Sequence, residues 1–167
     1  MCDVIRRRGP DDEGFHIDGP VGIGMRRLSI IDVSGGHQPI ANEDNSLWIV
    51  FNGEIFNHEP LQEGLRRRGH QFKTRSDTET ILHGIARTQA ASAIEAIEKV
   101  LKDTEGAYSL LFLTPTALIA VRDARGFRPL VLGKLNGAWC VASETCAFDL
   151  IDAKYVREVE PGEMLII

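Results

Sequence analysis

The chain has 167 residues, with 19 Lys and Arg against 24 Asp and Glu for a formal charge of -5. That length suits one domain with a continuous core, and the acidic balance sets aside a nucleic-acid or anionic-membrane surface as the main partner. Three cysteines without CxxC spacing set aside a disulfide framework and a zinc site, and no run approaches the ~18 apolar residues that span a bilayer. The expectation is therefore a chain of the reducing cytoplasm with no export signal, metal or cofactor.

The first signals in chain order are strands. Phe15-His16-Ile17 and Val21 to Met25 flank Gly19-Pro20 and predict a hairpin. Gly35-Gly36-His37-Gln38-Pro39 reads as a loop, and a polar turn at 42–46 leads into the apolar run Leu47 to Phe51. Asn57 predicts an N-cap, with Pro60 in the first turn and Gly69 as the helix stop. Ser76-Asp77-Thr78-Glu79 has the form of a capping box and opens a helix over 77–87. A third helix covers 93–102, where Ile94, Ile97 and Leu101 share one face.

From Gly106 the apolar period changes to two. Strands are predicted at 108–113, 117–122, 130–135 and 138–142, the last two joined by the hairpin signal Asn136-Gly137. A short helix over 143–151 and strands at 156–159 and 163–167 follow. Strands, then helices, then strands, without βαβ alternation, predict an α+β fold of largely antiparallel sheets. The arginine triplets at 6–8 and 66–68 lie among acids and read as solvated faces. Cys140, in a strand pattern, and Cys146, in a helix pattern, read as packed thiols.

Two constellations carry chemistry. Asn52-Gly53 after an apolar strand presents a carboxamide N–H beside a backbone N–H, the donor pair that stabilises an oxyanion in acyl transfer. Asp77 supplies a carboxylate at a helix start and Arg27 a guanidinium fork at a strand end, which suit an ammonium and a carboxylate respectively. Each also has a plain structural reading. An acid in a first helical turn is favoured by the dipole alone, Asn-Gly is a common turn, and Arg27 could be a surface charge.

The joint pattern decides for a site. Arg8-Gly9-Pro10-Asp11, Arg27-Leu28-Ser29-Ile30-Ile31-Asp32, Gly35-Gly36-His37-Gln38-Pro39, Phe51-Asn52-Gly53-Glu54-Ile55 and Ser76-Asp77-Thr78-Glu79 resemble the glutaminase domain of asparagine synthetases. Ala120 to Leu130, Ala142 to Asp149 and Val159-Glu160-Pro161-Gly162-Glu163 resemble that of amidophosphoribosyltransferases. Both are class II glutamine amidotransferases. The resemblance implies a four-layer αββα sandwich of the Ntn-hydrolase type, and hydrolysis of L-glutamine to glutamate and ammonia through a cysteinyl thioester. It places the substrate carboxylate on Arg27, its ammonium on Asp77 and the oxyanion on Asn52 and Gly53. Leu28, Ser29, Ile30, Ile31 and Glu54 complete the pocket.

In such domains the nucleophile is an N-terminal cysteine whose own α-amine acts as base once Met is removed, a pattern that Met1-Cys2 superficially matches. The family continues from that cysteine into a strand, a loop and a helix before its Arg-Gly-Pro-Asp. Here only Asp3 to Arg7 intervene, a reach of ~20 Å, so the first strand and most of the first helix are expected to be missing. Cys2 is then either the remnant of a helix, the favoured reading, or a nucleophile delivered by a shortened N-terminus. The expectation is one glutaminase domain over 1–167, without the synthetase or phosphoribosyltransferase domain that uses the ammonia, in asparagine or purine synthesis. Such a domain or subunit is the implied partner, and an oligomer is left open. The alternative is a module that holds glutamine or a partner without hydrolysis, or a truncated hybrid with no activity of its own.

Overall fold

The computed structural model describes residues 1–28, 36–74 and 76–167. Its frame is a five-stranded antiparallel sheet in the order β10-β6-β5-β4-β3. These strands are β3 (Ile40–Ala41), β4 (Trp48–Ile55), β5 (Gly106–Leu113), β6 (Leu118–Arg122) and β10 (Met164–Ile166). Period-two patterning sorts their side chains onto two faces. Ile49, Phe51 and Ile55 of β4, with Tyr108, Leu110 and Phe112 of β5, face the helices, whereas Val50, Leu111 and Leu113 face the other way.

Three helices cover the first face: α1 (His58–Arg66), α2 (Asp77–Arg87) and α3 (Ala93–Lys102). Ile81, Leu82 and Ile85 of α2 join Ala96 and Ile97 of α3 in one core with β4, β5 and β6. Ile49, Ile97, Leu110, Phe112 and Ile119 are fully buried there, each removal from water stabilising by roughly 1.5–3 kcal/mol. Asn57 does not cap α1 as expected. Its carboxamide instead donates to Asp103 O at 2.9 Å and accepts from Glu105 N at 3.0 Å, tying the start of α1 to the turn before β5. Gly69 follows α1 at φ +93°, where an L side chain would be strained, as the stop signal implied.

The second face carries another β layer, in two pieces. One is the hairpin of β1 (Asp12–Asp18) and β2 (Val21–Arg27), and the other is a three-stranded sheet in the order β8-β7-β9. The latter comprises β7 (Val131–Leu135), β8 (Ala138–Ala142) and β9 (Lys154–Glu158). Ile23 of β2 packs on Val50 and Leu113, and the His16 ring stacks on Trp48 at 3.6 Å. Leu130, Val141 and Val159 pack on Ala120. Asn136 and Gly137 both take positive φ in the tight β7–β8 turn, the conformation that Asn-Gly favours.

A short helix α4 (Cys146–Asp149) covers the outer side of the second layer, where the Phe148 ring lies so close to Gly133 that a Cβ there would come within 2.9 Å. The order is helices, sheet, sheet, helix, the sandwich that the resemblance implied. Among the described residues no ladder joins β2 to β8, so this layer is divided into two pieces. Before β1 stand only a turn and a 3₁₀ helix at Arg6–Arg8. Cys140 and Cys146 are half-buried rather than packed in the core.

Candidate functional site

Asn52 owes its direction to strand alternation. It shares the parity of Val50, so it points away from the helices and toward the second β layer, opposite Ser109 across the β4–β5 ladder. The Asn-Gly pair does not end the strand, as the sequence suggested. β4 runs on to Ile55 because Glu54 and Ile55 pair with Ala107 and Gly106. Gly53 is obligatory at its position, with φ +153° and a hypothetical Cβ only 2.1 Å from the Ala107 carbonyl oxygen. The Asn52 carboxamide enters no hydrogen bond among the described residues.

Asp77 is the first residue of α2. Ser76 caps that helix as predicted, its hydroxyl accepting from Thr78 N at 3.2 Å. The Asp77 side chain is buried, with 6% of the residue exposed, and its Oδ2 accepts from Ile55 N at 3.1 Å, joining α2 to the end of β4. Burial pushes its carboxyl above the ordinary value, while the Ile55 N–H and the nearby His58 pull the other way.

Glu79 does not reach back to Ser76 in a closed capping box. It accepts from Lys73 N and Thr74 N at 2.8 Å each and from the Thr74 hydroxyl at 2.6 Å, mooring the loop that leads into Asp77. Burial alone would raise the Glu79 carboxyl, but the Thr74 and Lys73 donors outweigh it and hold the group below its ordinary value.

Arg27 closes β2 and lies against Gly36, where a Cβ would come 2.3 Å from its Nη2. A side chain at Gly36 would therefore displace the guanidinium. The neighbouring Arg26, with 6% of its side chain exposed, bonds Asp3 Oδ1 at 2.9 Å and pairs with Glu13.

Cys2 stands against Gly24, its Sγ 3.1 Å from where a Gly24 Cβ would be. Gly24 pairs with Phe15 on the outward side of the hairpin, whereas its neighbour Ile23 faces the sheet beneath. Burial raises the Cys2 thiol above its ordinary value, while the amino terminus and Arg26 draw it down.

These groups border one cavity of about 860 Å³ that reaches from between the two β layers, at Val50, Asn52 and Leu111, to the outward side of the hairpin, at Phe15, Gly24 and Cys2. Its walls include Cys2, Arg27, Leu28, Asn52, Gly53, Glu54 and Asp77, so every sequence-predicted site residue that the structure describes lies on it. Ser29, Ile30 and Ile31 fall outside the described residues. Residues separated by up to 75 positions converge because β2, β4 and the start of α2 meet at one end of the sandwich. The volume lies toward the upper end of the roughly 300–1,000 Å³ that holds a drug-sized ligand. Among the polar lining residues that escaped sequence reasoning as site components are Gln38, Arg26, Thr78, Ser109 and Arg128. The only signal for Gln38 was its place in the Gly-Gly-His-Gln-Pro motif.

The comparisons with known proteins agree in direction. The family described as glutamine amidotransferase domain matches residues 1–163. Amidophosphoribosyltransferase 2, chloroplastic, of Arabidopsis thaliana is 47% identical over 123 residues, covering 73% of this chain and 22% of that protein. The Bacillus subtilis amidophosphoribosyltransferase is 43% identical over 127 residues, 76% of this chain and 27% of that protein. The solved structure of the B. subtilis glutamine phosphoribosylpyrophosphate amidotransferase with ADP and GMP superposes with a TM-score of 0.81 at 40% identity, covering 87% of this chain and 32% of that one. The chain thus spans about a fifth to a third of the length of these relatives. They lie on the side of the second-half resemblance, not of the asparagine synthetases.

Proposed function

Because the chain belongs to the glutamine amidotransferase domain family, we propose that its cavity binds L-glutamine and releases the side-chain nitrogen as ammonia. Arg27 takes the α-carboxylate through a two-pronged guanidinium contact. Asp77 takes the α-ammonium, and the carboxamide reaches Asn52 and the Gly53 N–H. In the chemical step the Cys2 thiolate attacks the amide carbon, and the electron pair moves onto the oxygen held by Asn52 and Gly53. Collapse of that adduct expels ammonia and leaves a thioester, which water cleaves to glutamate and free thiol. The half-buried thiol needs a base, and removal of Met1 would provide the α-amine of Cys2 itself. The observation that carries the reading is that Arg27, Asn52, Gly53 and Asp77 line the same cavity.

The ammonia acceptor is read from the relatives. Amidophosphoribosyltransferases favour a phosphoribosyl pyrophosphate-using domain or subunit, and so purine synthesis. Cys2 raises a second reading, that the cavity holds glutamine without cleaving it, since its thiol stands on the outward side of β2. Intact-mass measurement after incubation with an electrophilic glutamine analogue separates the two. A chain without Met1 that gains one adduct, lost in Cys2→Ala, supports hydrolysis. Glutamine binding with no adduct supports a binding module, and neither binding nor adduct overturns the glutamine assignment.

A further inference from the structure

We infer that Gln38 is a positioning residue that holds the Asn52 and Asp77 halves of the cavity in register. Gln38 is buried, with 5% exposure, and its carboxamide is used at both ends. Oε1 accepts from Phe51 N at 2.7 Å, and Nε2 donates to Thr78 Oγ1 at 3.3 Å. Phe51 immediately precedes Asn52, and Thr78 immediately follows Asp77. One planar amide thus spans from the strand that carries the oxyanion donors to the helix that carries the acid.

The reason lies in the sheet edge. β3 contributes only two residues, and its ladder with β4 stops at Ile40 opposite Ile49. The next N–H along that edge of β4 is that of Phe51, for which no strand backbone remains. The Gln38 side-chain oxygen replaces the missing rung, satisfying a donor that would otherwise be buried and unpaired. Gln38 itself is held from below, since its carbonyl oxygen lies so close to Gly14 that a Cβ there would come within 1.9 Å. Thr78 has no exposed surface, so the second bond is shielded from water. Asp77 Oδ2 on Ile55 N ties β4 to the first turn of α2 directly, and Gln38 adds a side-chain bridge between the same two elements.

The inference rests on the glutamine reading for its consequence, but its geometry can be tested separately. Gln38→Met keeps an unbranched side chain of similar length and removes both bonds. Thr78→Val removes only the bond to α2. Hydrogen exchange in the full chain, without ligand, should accelerate at least tenfold in both 51–53 and 76–79 in Gln38→Met, with the remaining segments unchanged. Unchanged exchange in either segment overturns the inference, whatever the ligand proves to be. With glutamine, Gln38→Met should raise KM and lower kcat, each at least tenfold. Thr78→Val should raise KM while leaving kcat within about twofold. A Gln38→Met chain with wild-type KM and kcat sinks the idea. If Gln38→Met does not fold, Thr78→Val decides, a wild-type KM counting against the inference. A wild-type chain that binds no glutamine defeats the functional proposal instead, and exchange still judges Gln38.

Discussion

Asp77 offers the sharpest test, because its two duties can be separated by one atom. Its Oδ2 accepts from the fully buried Ile55 N–H, and its negative charge is what would select an ammonium. Asp77→Asn keeps an acceptor for Ile55 and removes the charge, whereas Asp77→Ala removes both. Losing a charge-assisted hydrogen bond to the ligand costs about 1.5–3 kcal/mol, or roughly a 10- to 150-fold weaker affinity at ~1.4 kcal/mol per decade. Burial limits solvent screening, which favours the upper part of that range.

Stability should move the other way in the Asn variant. A carboxyl raised above its unfolded value by burial contributes stability that is fully present below that unfolded value and is lost as pH rises through the folded one. At neutral pH the ionised Asp77 therefore weakens the fold, and Asn should melt no lower than the wild type. Asp77→Ala leaves the Ile55 N–H unpaired at a cost of about 1–3 kcal/mol. For a 167-residue chain that is a fall of roughly 2–12 °C, at ~2–4 °C per kcal/mol. Calorimetric titration with L-glutamine on a Cys2→Ala background, together with thermal melts at pH 7, reads both quantities. Wild-type affinity in Asp77→Asn would refute the role given to the carboxylate.

Further outcomes follow from neighbouring residues. Asn52→Ala should leave glutamine affinity nearly intact and lower turnover ~10²–10³-fold, the cost of one oxyanion donor; equal rates would mean that Asn52 serves the strand alone. Glu79 and Asp123 behave oppositely to Asp77. Burial pushes each up, but donors from Thr74 and Lys73, and from Arg128, Phe127 and Arg125, prevail and hold both low. Their contribution is present above the ordinary carboxylate range and lost as pH falls through their depressed values. Acid-unfolding curves should therefore be flatter in Glu79→Gln and Asp123→Asn than in the wild type, and parallel curves would count against these networks.

Much of the secondary structure was legible because it rests on local chemistry. Ser76 caps α2, Asn136-Gly137 turns the β7–β8 hairpin, and the period-two runs became β5 to β8. Where tertiary partners compete, local rules failed. Asn57 gives its side chain to the turn before β5 instead of to its own helix, because two backbone groups there need partners. The Glu79 carboxylate is drawn to Lys73 and Thr74, and β4 continues past Asn52-Gly53 because β5 offers a ladder.

What the amino-acid order determined by itself was the set of groups: a guanidinium at a strand end, an acid at a helix start and an Asn-Gly pair in an apolar strand. Their chemical types and local elements follow from nearest neighbours. Tertiary structure alone decided that they share one cavity, since that depends on which face of β4 meets the second layer and on how α2 docks at its end. It also decided that the Cys2 thiol stands on the outward side of β2, against Gly24. No local rule could supply that side, because it is set by how the first eight residues cross the hairpin, through Asp3 on Arg26 and Arg8 on Glu144.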